Sequence, residues 1–531
     1  MRTSVLLAGV AALVLSACQP VVKPAGVTAP GDFFALVSEP RTISQLAADM
    51  LAGTLTSEKL TQSYLDRIAA VDDAGPTLNA ILSLNPNAIA NAQALDQMRA
   101  GGVVRGPLHG VAIVVKDNID TLDPMATTAG SLALQDNLAN RDAPVVARLR
   151  NAGAVIIGKS NLSEWANFRG NNSVSGWSAV GGLTKNPYAL DRSACGSSSG
   201  SGAAVAAGLA AAAVGTETDG SISCPSAANG LVGIKPTVGL IPRTHIVPIS
   251  STQDTAGPMA LTVSDAALLL TIMAGSDASD PATAQADFYK ADYTRALDKD
   301  ALKGKRIGVA RFMAGYHVPT DAAFDTALEQ LKAAGAELVE IRDFPNQREI
   351  GAAEGVVLKA EFHAGLDAYL ASTPAAVKVR SLADLVAFNK ATPAELEFFG
   401  QETLEESLAA PALTDAKYLE ARAAGQRLAG KEGIDKVLAD NKLDVLVAPT
   451  GGPAWTMDLV TGDHFLGASS TLPSVAGYPY ITVPMGEVRD LPVGLSFIGT
   501  AWSEAKLIGM AYAFEQLTQA RKAPAFLPHT P

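Results

Sequence analysis

Residues 195–222 read CGSSSGSGAAVAAGLAAAAVGTETDGSI. Almost no side chain in this run is larger than leucine. Serines and glycines crowd both ends, and no histidine lies near it. Small residues on every side let neighbouring backbones approach closely, so the run belongs inside a packed structure. Gly196-Ser197-Ser198-Ser199-Gly200 reads as a loop open to conformations that bulky residues cannot take. Residues 201–207 predict a short helix stopped by Gly208, and LAAAAVG a buried strand. TETDGSI is then the turn at the strand's end, where backbone N–H groups can converge on one point beside Ser221. A flexible Gly/Ser linker is the competing reading, but a linker has no reason to hold a tightly packed apolar element between its serines. No G-x-x-x-x-G-K-[ST] pattern is present, and G-x-S-x-G is absent around Ser221, which argues against a phosphate-binding loop and against a nucleophile elbow at Ser221.

Strands alternate with helices along the rest of the chain. GVAIVVKDNID is an apolar strand ending in Lys116, and KRIGVARF, DVLVAPT, YITVPMG and LPVGLSFIG are later ones. Residues 42–72 carry apolar side chains at helical spacing, with Thr56 or Ser57 capping a second helix. The expected fold class is therefore α/β, a large mixed sheet covered by helices on both faces. Residues 287–427 are more charged and more helical, and are expected to form a helical insertion or cap within one domain spanning 41–525. Net charge is −12 with no basic block, which excludes a nucleic-acid partner. The six histidines are scattered without ligand spacing, so neither a metal nor a cofactor is expected.

The N-terminus is a separate matter. Arg2 precedes an apolar run over residues 5–15, too short for a bilayer, which needs ~20 residues. It reads as a secretory signal. Leu15-Ser16-Ala17-Cys18 resembles a bacterial lipobox. That resemblance implies a signal peptide over 1–17, lipid on Cys18, and membrane contact through that anchor alone. An ordinary signal peptide is the alternative. Residues 18–40 are a Pro/Gly-rich tether, and Gln19 leans towards the periplasmic face of the outer membrane in a Gram-negative cell. Cys195 and Cys224 then remain, either as a disulfide or as two buried thiols, and their separation does not decide between them.

GPLHGVAIVVKDNI, GKSNLSEWA, GLVGIKPTVGLIPR, DTAGPMA, DVLVAPT and AGYPYITVPMG, with the small-residue run, resemble the motifs of the amidase signature family in the family's order. The resemblance covers roughly residues 42–517. It implies a Ser-cisSer-Lys triad and an acyl-enzyme: Ser221 as nucleophile, Ser197 as bridging serine beside a cis peptide bond, Lys116 as base. Backbone N–H groups of Thr218, Asp219, Gly220 and Ser221 become candidates for the oxyanion hole. Two positions depart from the pattern: Cys195 opens the block where paired glycines are usual, and Asp219 stands where glycine is common. The chemistry is sound on its own terms. A serine hydroxyl needs a base, and lysine is one only when neutral; lowering its pKa by ~3 units costs about 4 kcal/mol, which an apolar site can supply. The bland reading of Lys116 is a surface lysine paired with Asp117.

Within the family, EWANFRGNNSVSGWSA, CGSSSGSG, GTETDGSISCP and GTAWSEAKLIGMAYAFEQ are most similar to bacterial peptide amidases. That implies a peptide or other small-molecule amide as substrate, with ammonia released from a C-terminal carboxamide. A general aliphatic, aromatic or oligoamide amidase is the alternative. An amidotransferase subunit is disfavoured, since an exported lipoprotein meets no charged tRNA. A lipid-anchored solute-binding protein would share signal, tether and fold, but needs none of Lys116, Ser197 and Ser221.

Overall fold

The computed structural model describes residues 41–531. The signal, Cys18 and the tether lie outside the described residues.

Eleven strands form one mixed sheet. They are β1 (Ile81–Leu84), β2 (Ala112–Lys116), β3 (Val155–Ser160), β4 (Ala212–Glu217), β5 (Val232–Lys235), β6 (Thr255–Ala260), β7 (Arg306–Ala310), β8 (Glu337–Ile341), β9 (Val445–Pro449), β10 (Tyr480–Val488) and β11 (Leu491–Ile498). Their order is β1-β3-β2-β4-β6-β5-β10-β11-β9-β7-β8. β2 runs parallel to both β3 and β4, while β6 pairs antiparallel with β4 and β5. Strands β2, β3, β4 and β6 are buried along their whole length. This is why they read as continuous apolar or small-residue runs rather than as alternating ones. Helices cover both faces, as the alternation of strand and helix implied.

Local signals set several boundaries. Helix α1 (Ile43–Ala52) starts at Thr42, whose hydroxyl accepts from the Gln45 N–H while the Gln45 side chain caps Thr42 in return. Helix α2 (Ser57–Arg67) starts at Thr56, which accepts from the Lys59 N–H. In the small-residue run, helix α3 (Ser199–Ala206) begins two residues earlier than expected. Gly208, at φ +70°, turns the chain back on that helix, and the Leu209 N–H donates to the Ala204 carbonyl. Residues 209–211 therefore close the helix, and the strand starts only at Ala212 and runs through Glu217. The short helix α4 (Ser223–Ala228) follows the turn.

The stretch 287–427 contributes both sheet and cover. It holds β7 and β8, and then the long helix α5 (Gln347–Ala371). Phe362, Leu366 and Leu370 of α5 join Leu385 and Leu404 in an apolar cluster that reaches Trp165, Val247 and Ile249. The Val247 N–H donates to the Asn118 carbonyl, which ties this cluster to the chain just beyond β2.

Candidate active site

The site begins with register. β2 and β4 are parallel neighbours with Ile113 opposite Ala212 and Val115 opposite Val214. Their C-terminal ends therefore lie side by side, which places Lys116 next to Thr216 and the turn after β4. The loop before α3 is drawn in by the Ser198 N–H donating to the Ser221 carbonyl at 3.1 Å, and its Gly196–Ser197 peptide bond is cis. Lys116, Ser197 and Ser221, distant in sequence, are thus gathered in one place.

Lys116 is fully buried. Its Nζ donates to Ser197 Oγ at 2.7 Å, to Thr216 Oγ1 at 2.9 Å and to the Thr216 carbonyl at 3.3 Å. Burial pulls its pKa down to about 7, opposed by the negative charges of Asp254 and Glu217. The reading as a surface lysine paired with Asp117 does not hold. Asp117 instead faces Lys159, 3.7 Å away, and accepts from Thr128, with all of them buried.

Glu217 organises the turn. Its Oε2 accepts the N–H groups of Ile222 at 2.7 Å and Ser223 at 2.9 Å, and its Oε1 accepts from the Tyr480 hydroxyl. Gly220 takes φ +81°. Among the described residues, none accepts from the N–H groups of Thr218, Asp219, Gly220 or Ser221, and none hydrogen-bonds the Ser221 hydroxyl. Four free donors in a tight turn form a concavity suited to a developing negative charge. The Asp219 carboxylate accepts from Thr471 Oγ1 at 2.7 Å, and burial raises its pKa. Asp254 accepts from Thr218 Oγ1 at 2.6 Å and from the N–H groups of Ile249 and Ser250; burial pushes it up to about 6.

Ser221, Asp219 and Gly196 line a cleft of about 380 Å³ walled by Phe168, Trp455 and Phe465. Cys195 and Cys224 line it too, and they are joined by a disulfide with Cα atoms 5.9 Å apart. The bridge ties the loop before Ser197 to the helix after Ser221. His109 lies elsewhere, its ring fixed between the Arg105 N–H and the Leu95 carbonyl.

Glu217, Thr216, Asn118 and Asp254 were not singled out from the sequence. Glu217 had a signal, since it lies inside the turn motif and an acidic residue there faces two N–H groups of the following helix. Asn118, whose Nδ2 donates to Thr216 Oγ1 at 2.9 Å, has only its nearness to Lys116.

Comparison with known proteins bears on this geometry. A family model described as Amidase matches residues 59–508. A putative amidase of Arthroderma benhamiae is 40% identical over 489 residues, covering 87% of this chain and 79% of that protein. A probable amidase of Arabidopsis thaliana is 39% identical over 500 residues, covering 92% and 91%. The crystal structure of native peptide amidase from Stenotrophomonas maltophilia is 53% identical with a TM-score of 0.86, covering 91% of this chain and 98% of that one.

Glu217→Ala strips the Ile222 and Ser223 N–H groups of their acceptor inside the protein, while the Tyr480 hydroxyl keeps Ser223 Oγ as its partner. At about 1–3 kcal/mol for each buried group left unpaired, the expected loss of stability is at least a few kcal/mol. Glu217→Gln, which keeps an acceptor oxygen, loses less. Denaturant titration of the two variants checks both the size and the order.

Proposed function

The chain belongs to the amidase family, and from that premise we propose that Lys116, Ser197 and Ser221 form a proton relay that hydrolyses the C-terminal carboxamide of peptides. The protein is an amidase, a hydrolase of linear amide C–N bonds. The observation that carries the relay is the 2.7 Å contact between a buried lysine and Ser197 Oγ, beside a hydroxyl and four N–H groups left free.

In this reading neutral Lys116 takes the proton of Ser197, which takes the proton of Ser221. A hydroxyl both donates and accepts, so Ser197 can pass the proton on. The contact between the two serines closes when substrate fills the cleft. Ser221 Oγ attacks the carbonyl carbon, and the oxyanion turns to the N–H groups of Thr218, Asp219, Gly220 and Ser221. Such donors stabilise transition states by about 3–4 kcal/mol each in other acyl-transfer enzymes. The relay then returns its proton to the amide nitrogen, the C–N bond breaks, and ammonia leaves. Water attacks the acyl-enzyme through the same relay and releases the peptide acid.

The likeness to peptide amidase at 53% identity supports the substrate class, as does the relative crystallised with the competitive inhibitor chymostatin. Asp219 and Gly196, which line the cleft beside Ser221, support a small leaving group. A residue in place of ammonia would have to fit against Asp219 and the bridging-serine loop. Ammonia release from a peptide amide, compared with cleavage of the same peptide extended by one residue, tests this. Fast release from the first and none from the second is the expected result; equal cleavage of both makes the protein a general amidase.

Ser221→Ala is expected to abolish turnover, and Lys116→Ala and Ser197→Ala to reduce it severely. Because the three act as a unit, double variants lose little more than single ones. The pH profile follows from Lys116. The base is the neutral form, so kcat/KM falls on the acid side of about pH 7, by about tenfold per unit. Near-normal activity in Lys116→Ala, or a flat profile from pH 5 to 8, refutes the relay.

Export and lipid anchoring through Cys18 complete the proposal. The lipobox-like residues 15–18 support it, and a Cys195–Cys224 disulfide suits an oxidising compartment. Mass spectrometry of the membrane fraction is expected to find a mature protein starting at lipid-modified Cys18. A soluble form starting elsewhere overturns the anchor and leaves the chemistry untouched.

A further inference from the structure

The cleft that holds Ser221 is lined without a cation. Its wall is apolar at Phe168, Trp455 and Phe465, and the acidic side chains in it are those of Asp219 and Asp463. Among the described residues no lysine, arginine or histidine lines it. Lys116 is fully buried against Ser197 and Thr216. Arg169, which follows Phe168, is fully buried as well, and donates to Glu164 at 2.8 Å and to the Phe399 carbonyl at 2.7 Å.

Asp463 is held in place within that wall. It lies on the loop of residues 450–470, which follows β9. Its Oδ1 accepts from Trp455 Nε1 and its Oδ2 from the Ser175 N–H, each at 2.9 Å. Trp455 and Ser175 line the cleft beside it. Both donors are neutral, so they orient the carboxylate without cancelling its charge. The adjacent His464 stands by Asp458, 3.9 Å away. Asp219, by contrast, sits in the nucleophile turn itself and accepts from Thr471 Oγ1.

We propose that Asp463 is a specificity-determining residue, whose fixed negative charge lets the cleft take a peptide amide and turn away the matching peptide acid. The inference rests on the peptide-amide reading above. A carboxamide and the carboxylate it becomes have nearly the same shape and differ in charge. The amide is neutral, whereas a terminal carboxyl, with a pKa of ~3.5, is ionised at neutral pH. The four free N–H groups of the Ser221 turn attract any anion, the product included. A site built on such donors holds its own product unless something opposes the charge, and an unpaired like charge in the wall does so. The same repulsion speeds the peptide acid out once water has released it from Ser221.

Ammonia release from a tetrapeptide amide is measured with the matching tetrapeptide acid as inhibitor, and the Ki of the acid is divided by the KM of the amide. Asp463→Asn removes the charge and keeps an acceptor oxygen. Asp463→Glu keeps the charge. Trp455→Phe keeps a ring in the wall and removes the indole N–H that Asp463 accepts. The ratio is expected to fall by about fivefold or more in Asp463→Asn, and to stay within about twofold of the unsubstituted value in Asp463→Glu and Trp455→Phe. Raising salt from about 0.05 to about 0.5 M screens the repulsion, so it lowers Ki in the unsubstituted protein and does not lower it in Asp463→Asn. An unchanged ratio in Asp463→Asn overturns the proposal. So does an equal fall in Trp455→Phe, which makes Asp463 a support for the wall and nothing more. If Asp463→Asn does not fold, the unsubstituted protein decides: a Ki that does not fall with salt overturns the proposal. Failure of the parent reading looks different, because the unsubstituted protein then releases no ammonia from any peptide amide. Failure of this inference alone leaves ammonia release intact and the ratio unmoved.

Discussion

A fully buried lysine is the constraint on which the rest of this structure depends. Lys116 is enclosed by the β2–β4 strand ends, and its ammonium meets two hydroxyls and a carbonyl rather than a carboxylate. Moving its pKa from 10.5 to about 7 corresponds to roughly 5 kcal/mol of differential solvation. A direct ion pair would undo that shift. The carboxylates near it are occupied elsewhere: Asp117 by Lys159 and Thr128, Glu217 by the turn and Tyr480, Asp254 by Thr218 and two backbone N–H groups. The neighbouring acids are thus held as structural acceptors, and the lysine is left with hydroxyls as its side-chain partners.

The same constraint explains the small residues. A loop, a helix and a turn must all reach the end of one strand pair, and each arrives through contacts that leave no room for a side chain. A Cβ on Gly200 would lie 2.2 Å from the Ala80 carbonyl oxygen, and one on Gly202 would lie 2.9 Å from that of Pro225. A Cβ on Gly215 would stand 2.9 Å from Ser198 Oγ, on the face where the serine loop crosses β4. Backbone can then do what side chains usually do. It fixes the spacing between Ser197 and Ser221 through the Ser198-to-Ser221 bond and leaves the turn's own N–H groups unpaired.

How much of this was legible in the sequence follows from how local each feature is. Lys116 ends a Val/Ile strand where the pattern pointed, while α3 takes Ser199 and Gly200 from the expected serine loop and β4 takes Thr216 and Glu217 from the expected TETDGSI turn. Thr56, one of the two caps offered for the second helix, acts as the cap because capping needs only the next three residues. Asp254 and Asn118 were not legible, since their roles depend on β6 and β2 lying on either side of β4, which no local pattern states. The pairing of Cys195 with Cys224 was open for the same reason: it requires α4 to return beside the loop before α3. In the stretch 287–427 composition marks extra charge and helix, but the order of β7 and β8 at the far edge of the sheet is set by pairing with β9.

The disulfide has a topological consequence. Cys195 and Cys224 stand just outside Ser197 and Ser221, so both serines lie on one closed covalent ring. Every residue of β4 lies on that ring as well. A single backbone cleavage anywhere between the two cysteines opens the ring without dividing the molecule, because the two fragments stay joined through sulfur. Ser197 and Ser221 therefore remain parts of the same covalent molecule in a chain nicked once, and after that single cut reduction of the disulfide is needed to release one from the other.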